Sequence, residues 1–529
     1  MKRLVLIAWV ALLGSSCNFN EFETDNLVVE NYQGTVGIPV GEFEVTFRRL
    51  FEDLLDSSQN LIIDNDSIFV LVYEDSLSFS NSSDLITIDD ISNGTSVTLT
   101  EIPASPVSQQ IPIDQTFTFN YQPQNGEAID SLVYESGELV LRVNSSLESV
   151  VDFQFDILNT VDLSNNDTPV SFTGSVGANS SVNRTQDLAN HATFLTTDGN
   201  LNTFEVQLTG TINLEAGQFV SATDVLSFNL TFRNQNFQAI FGFFGQDALN
   251  VGNNSIDVSF FQDFGTGIIF ERPEMQLQFE NSYGLPIGLD LSGISGDVDG
   301  QNVALSGTIT ESLQVVNSPD ITQVGQSVRD TILLDNQNSS LADLLAASPD
   351  VLNFNLTATT NPQSINATNF ITNQDTLKTV VQMRLPLSVQ FDNVERQVDF
   401  GIETDLNLSD VDSAGIRFVT ENQLPFNAAL DLIFKDADSI PLDTVQGGLF
   451  LASPFINREG RVIEGEVNIA NLPLNKDALN AFQNSAILTL VLTLNTPETL
   501  NSQEIFVDIL SQYTLEMKVS LVVKLNVDI

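Results

Sequence analysis

The chain has 529 residues, with 69 Asp and Glu against 19 Lys and Arg, a formal net charge of −50, and one Cys, one His and one Trp. This acidity repels phosphate backbones and anionic head groups, which excludes nucleic acid as a partner. With one thiol and one imidazole the chain forms no internal disulfide and no zinc site built from His and Cys. Because 42 % of the residues are hydrophobic, large cores can be buried, unlike the low-hydrophobicity, high-charge profile of disorder. At roughly 150 residues per domain, three or four domains are expected.

Lys2 and Arg3 precede an apolar run from Leu4 to Leu13, followed by Gly14-Ser15-Ser16-Cys17. A basic start, about ten apolar residues and a small-residue cleavage site read as a secretory signal, too short to span a bilayer. The cysteine directly after the small residues makes this leader resemble a bacterial lipobox, with Gly14 where that pattern favours Leu. The resemblance covers the leader alone. It implies 1–16 as signal peptide, acylation of Cys17, 17–26 as tether, and a cell-envelope location on the outer membrane.

From Leu27 onward alternation dominates: Ile68-Phe-Val-Leu-Val-Tyr73, Phe117-Thr-Phe-Asn-Tyr121, Leu139-Val-Leu-Arg-Val143, Phe153-Gln-Phe-Asp-Ile157, Phe204-Glu-Val-Gln-Leu208 and Phe228-Asn-Leu-Thr-Phe232. Period-two segments separated by Asn, Asp, Gly and Ser predict antiparallel sheets with one buried face. The expected class is mostly β, tandem antiparallel β-sandwich domains each with a short helix. Helical stripes occur at Phe47, Leu50, Phe51, Leu54 and Leu55, at Leu341, Leu344 and Leu345, and at Leu479 and Phe482. A fourth, Phe237, Ile240, Phe241 and Phe244, predicts an aromatic helix plugging a domain junction.

An internal repeat accompanies the helices. Leu277-Gln-Phe279-Glu-Asn281, Leu285-Pro286 and Leu289-Asp290-Leu291 parallel Ile416-Arg-Phe418, Asn422, Leu424-Pro425 and Leu430-Asp431-Leu432. Met383 to Phe391 parallels Met517 to Leu525. This predicts two copies of one β domain, 266–400 and 401–529, behind an N-terminal β-rich region, 27–265, of one or two domains.

Motifs for chemistry are sparse. Asp410, Asp412, Gly415 and Glu421 have the spacing of an EF-hand loop, with Ala414 at a position that needs an oxygen ligand. No cofactor is expected, Ca2+ at Asp410, Asp412 and Glu421 being the one metal the spacing allows. His191 lies in a polar stretch and reads as an exposed loop residue. Asp-(Ser/Thr)-aliphatic or small triplets recur, with hydroxyls at Ser67, Ser76, Ser131, Thr331, Thr376, Ser413, Ser439 and Thr444, where composition predicts roughly three. They resemble the O-glycan acceptor triplet of some Gram-negative bacteria, and Asp-Ser or Asp-Thr also ends a turn before a strand. The single Trp, Trp9, lies in the leader, beside 37 Phe and six Tyr in the chain, which weakens a sugar-stacking role.

The expectation is a lipid-anchored envelope protein with a non-catalytic binding or surface-structural role and an unidentified protein or lipid partner. A carrier of hydrophobic cargo is the first alternative, and a carboxylate-pair hydrolase the second.

Overall fold

The structure, a computed structural model, describes residues 32–51, 59–77, 88–121, 127–197, 199–263, 267–363, 368–402, 411–497 and 505–527. Cys17, its tether and the helix positions 54 and 55 lie outside these residues. Strands predominate, joined by short helices, and the mostly β class is as the alternation predicts. The strands form three two-layered sandwiches.

In the C-terminal sandwich one sheet runs Tyr32–Thr46, Thr514–Val527, Val411–Asn422, Glu466–Leu474, and the other Val394–Gly401, Ile487–Asn495, Asn427–Lys435, Pro441–Leu451. Alternate residues such as Ile416, Phe418, Leu521, Leu430 and Leu490 are buried, as period-two patterning requires. The helix Lys476–Asn484, capped by the Asn475 side chain accepting from the Ala478 N–H at 2.8 Å, buries Ala478, Ala481 and Phe482. Its Phe482 ring meets Phe434 edge-on at 5.7 Å.

The middle sandwich repeats this order. Phe69–Leu77, Leu377–Pro386, Glu274–Asn281 and Val328–Leu334 form one sheet, with Gln59–Ile63 added outside Phe69–Leu77. Opposite lie Ala248–Asp257, Val351–Thr360, Ile287–Asp290 and Gln314–Val316. The counterpart of Asn427–Lys435 is broken at Gly293 into Ile287–Asp290 and Ile294–Val298, both paired with Val351–Thr360. A Cβ on Gly293 would lie 1.9 Å from the Asn355 carbonyl oxygen. The helix Leu341–Ala346 buries Leu341, Leu344 and Leu345, the predicted stripe.

The match reaches single side chains. Asn281 donates to the carbonyls of Leu285 and Asn317 while its Oδ1 accepts from the Tyr283 N–H; Asn422 donates to Phe426 and Ala452 and accepts from Leu424. Across their ladders Asn281 faces Leu377 and Asn422 faces Leu515. Phe279 lies two residues before Asn281 and Phe418 four before Asn422, so those landmarks are out of register by two. Met383 lies six after Leu377 and Met517 two after Leu515, a slip of four. Even slips keep every side chain on its face, so hydrophobic pattern alone does not detect them.

The sandwiches also borrow strands across the predicted boundaries. Val394–Gly401, placed by sequence in the first copy, pairs with Ile487–Asn495 of the C-terminal sandwich. From the N-terminal region, Tyr32–Thr46 joins the C-terminal sandwich, and Phe69–Leu77 and Ala248–Asp257 join the middle one.

The N-terminal sandwich sets Ile91–Val97, Leu226–Phe243, Ala128–Ser145 and Ser180–Asp187 against Thr168–Val176, Val150–Asp162, Thr203–Leu214 and Gln109–Asn120. His191–Phe194 pairs with both Ala128–Ser145 and Val150–Asp162, joining the layers at one corner. His191 is therefore buried, not an exposed loop residue, and its Nδ1 lies 2.8 Å from the Ala189 carbonyl oxygen. The predicted helix at Phe237 is also absent: these residues end the strand Leu226–Phe243. Bulges between Arg233 and Ala239 and at Phe241/Gly242 break the alternation, turning a period of two into an apparent helical spacing. Gly242, at φ 149°, is required there, since a Cβ would lie 2.4 Å from the Ala128 carbonyl oxygen.

Register orders the three units. Tyr32 faces Val527 and Thr46 faces Thr514, and the joint to the middle sandwich lies at the Thr46 end, through the Ile68–Leu510 bridge and the pairing of Ser388 with Asp508. That joint meets the Pro386 end of the middle sheet, where Pro386 faces Val70. From the opposite end, preceding Leu377, Asn369–Thr372 pairs with 239–242 of the N-terminal sandwich. The units thus stack end to end, with Tyr32 and the N-terminal sandwich at opposite extremes.

The two joints use different chemistry. At the first, buried Asp508 accepts from Arg461 at 2.9 Å and lies 3.9 Å from Arg272. At the second, buried Asn361 donates to the Gly245 carbonyl at 2.8 Å and to Asn369 Oδ1 at 3.0 Å, and Asn369 donates to Gly284 at 3.2 Å. Beside it burial pushes the Asp375 carboxyl above the ordinary range, against the lowering effect of the Thr372 N–H it accepts at 2.6 Å.

Two outcomes are expected. Asn422→Ala strips two buried carbonyls and one N–H of their partner and should lower stability by about 3 kcal/mol, read as a lower urea midpoint. Asp375→Asn keeps an acceptor for the Thr372 N–H without a buried charge. Because the folded-state pKa is raised, the wild type loses stability as pH rises from the ordinary carboxylate range through the raised value. The variant should melt higher at pH 7, and the gap should close as pH falls through that window.

Candidate functional site

The extreme of the N-terminal sandwich farthest from Tyr32 is built by the loops 98–108, 146–149, 177–179 and 215–225. They leave strands at the Leu226–Ser145 end, opposite the joint. Hydrogen bonds lace them together. Ile102 and Val220 exchange backbone bonds at 2.9 Å, Gly217 donates to Ser105, and Asn179 donates to Leu147. The Gln218 side chain donates to the Glu148 carbonyl at 2.7 Å and accepts from the Glu215 N–H at 2.8 Å. Ser146 Oγ accepts from the Val225 N–H at 2.8 Å. Backbone groups are satisfied across loops, so the tip is held in one arrangement.

Between the first and last loops lies a notch of about 390 Å³, lined by Glu101, Ile102, Pro103, Ala104, Phe219 and Val220. Phe219 is half-exposed, as are Val107, Val150 and Val225 around the tip. The notch is open, and polar atoms, the Glu101 carboxylate among its lining residues, share its surface with apolar side chains. A second, open and polar depression of about 640 Å³ lies where the strand Leu226–Phe243 bulges, lined by Ile88, Asp89, Asp90, Asn234, Gln235 and Asn236. There Asp90 Oδ1 accepts from the Asn234 N–H at 2.8 Å, so its carboxylate shapes the loop.

The EF-hand spacing is overturned by the backbone. Val411–Asn422 is one extended strand, so Asp412 and Glu421 lie about 30 Å apart at 3.3 Å per residue and do not converge on an ion. Asp410 lies outside the described residues. Among the described residues no group of three His, Cys, Asp or Glu is placed to hold a metal ion.

Of the triplet hydroxyls, Ser76, Thr331, Thr376, Ser413, Ser439 and Thr444 are exposed, and Ser67 and Ser131 half-buried. The aspartate has a local job in several. Asp75, Asp330 and Asp443 each accept from the following Ser76, Thr331 or Thr444 N–H at 2.7 to 2.9 Å. Ser67 and Ser439 occupy the same place in two identical hairpin turns. Asp64 and Asp436 each accept from the N–H groups two and four residues on, and Ser67 and Ser439 sit at φ 66° and 63°.

The phenylalanines that suggest a cargo chamber pack on one another in the N-terminal sandwich: Phe155 on Phe228 at 4.7 Å, Phe204 on Phe232 at 5.5 Å, Phe119 on Phe228 at 5.9 Å. The tip and the joints have no sequence signature beyond loop composition, because their partners lie far apart in the chain.

No family model and no curated protein matches this chain. Among solved structures, a protein from Parabacteroides distasonis assigned as secreted aligns over 93 % of this chain and 99 % of its own at 10 % identity and a TM-score of 0.30. The exported protein XepA covers 62 % of this chain and 99 % of its own at 8 % identity and a TM-score of 0.14. Likenesses at these scores carry no functional argument.

Gln218→Ala removes the side chain bridging two tip loops. Amide hydrogen exchange is expected to quicken at 146–149 and 215–220 and to stay unchanged in Glu274–Asn281 of the middle sandwich.

Proposed function

We propose that this is a lipid-anchored protein of the cell envelope, held on the outer membrane through acylated Cys17, with a non-catalytic binding or surface-structural role. In this reading the C-terminal sandwich is the foot, the middle sandwich the shaft and the N-terminal sandwich the head. The observation that carries it is the placement of Tyr32, where the tether enters the fold, at the extreme opposite the laced tip. A leader ending in Gly14-Ser15-Ser16-Cys17 supports the anchor. At about 3.3 Å per residue, strands of 15, 10 and 18 residues laid end to end span roughly 140 Å. The ionic and amide joints between the units suit a column that bears its head at a fixed height. The net charge of −50 keeps neighbouring columns and anionic head groups apart.

Two measurements test this reading. Metabolic labelling with an alkyne fatty acid should mark the membrane-bound wild type, whereas Cys17→Ser should be unlabelled and released to the soluble fraction. Neutron reflectometry of the acylated chain on a supported bilayer should give a protein layer roughly 140 Å thick. A layer of about 40 Å, one sandwich lying flat, would sink the column.

A further inference from the structure

Among the described strands, Glu466–Leu474 is an edge of the C-terminal sandwich, hydrogen-bonded on one side to Val411–Asn422. Its outward residues Val467 and Ile469 are 60 % and 56 % exposed, and the hairpin leading into it exposes Phe455 by 73 % and Ile463 by 71 %. Exposed apolar residues on an edge with unpaired backbone groups are what native edges normally avoid. The same molecule shows the avoided form. In the middle sandwich the equivalent edge is Val328–Leu334, since Val328 faces Asn281 as Glu466 faces Asn422. There Arg329, ion-paired with Glu280 at 3.4 Å, and Thr331 stand where Val467 and Ile469 stand. One copy has a charged, guarded edge and the other an apolar one.

The neighbouring strands supply the chemistry of the missing neighbour. Across the outer face beside Val467 the register aligns Glu421, Glu516 and Glu44, three exposed carboxylates directly opposite one another. Like charges so placed destabilise a sheet. The next row holds Ile469, Val419, Lys518 and Glu42, and its Lys518 is bonded to Glu42 at 3.0 Å. The edge run from Val462 to Leu474 adds Glu464 and Glu466 and contains no Lys or Arg.

We propose that this edge docks an extended segment of another protein by strand addition, with aliphatic side chains against Val467 and Ile469 and lysine or arginine reaching the carboxylate row. A second copy is a poorer occupant. An antiparallel self-pair inverts one molecule and sets the two Tyr32 ends on opposite sides, which anchored copies in one membrane do not allow. That step alone rests on the anchor proposed above.

The test uses the chain secreted with Cys17→Ser and the probe carboxyfluorescein-Lys-Thr-Val-Thr-Val-Thr-Lys-amide, titrated by fluorescence anisotropy. Binding is expected to weaken at least tenfold in Val467→Thr/Ile469→Thr, and several-fold in Glu421→Gln with a shallower salt dependence. It should vanish when the probe is N-methylated on alternate residues, and it should be unaffected by Leu333→Thr on the guarded edge. Equal binding by the N-methylated probe, or by Val467→Thr/Ile469→Thr with unchanged melting, overturns the proposal by leaving only non-specific attraction to an acidic protein. A concentration-dependent dimer in sedimentation, dissolved by Val467→Thr/Ile469→Thr, overturns it in favour of a second copy. Neither failure touches the acylation readout for Cys17.

Discussion

The first described strand, Tyr32–Thr46, pairs along its length with the last, Thr514–Val527, so both ends of the described chain meet in one sheet. Much else depends on this closure. It gives the C-terminal sandwich its fourth strand and seats Phe43 against Phe400 of the opposite layer at 4.5 Å. It also fixes where Tyr32 lies relative to the two other sandwiches. Without that pairing the last strand would itself be an edge, with alternate apolar residues such as Val519 and Leu521 behind it.

The joints show how a chain so poor in cations holds its parts together. Two of its 19 basic residues, Arg461 and Arg272, attend the buried carboxylate of Asp508, while the other joint uses buried amides. Amides donate and accept at once, so Asn281 and Asn422 each satisfy three backbone groups, and the bonded pair Asn361 and Asn369 satisfies the carbonyls of Gly245 and Gly284, without a counter-charge. The abundance of Asn here has a structural use beyond solubility and turns.

The class and the helix at Leu341 were legible because they reside in local periodicity: Leu341, Leu344 and Leu345 form a buried stripe, and the alternating runs are strands. Register was not legible. Slips of two and four between Phe279 and Phe418 or Met383 and Met517 leave inside and outside unchanged, and only the hydrogen bonds of Asn281 and Asn422 fix it. The aromatic run at Phe237 misled because bulges shift phase within a strand. Strand exchange between sandwiches, the tip notch and the glutamate row at Glu421 depend on contacts between residues far apart in sequence, which no local pattern encodes.

The pairing of Tyr32–Thr46 with Thr514–Val527 has a consequence in time as well as space. A chain made from its N-terminus presents the first strand hundreds of residues before its partner, and loop closure over such a distance is slow. The N-terminal sandwich, whose hairpins are local, is able to form while the foot is still incomplete. Folding would therefore run from the N-terminal sandwich toward the C-terminal one, ending at the sheet that joins the first and last described strands.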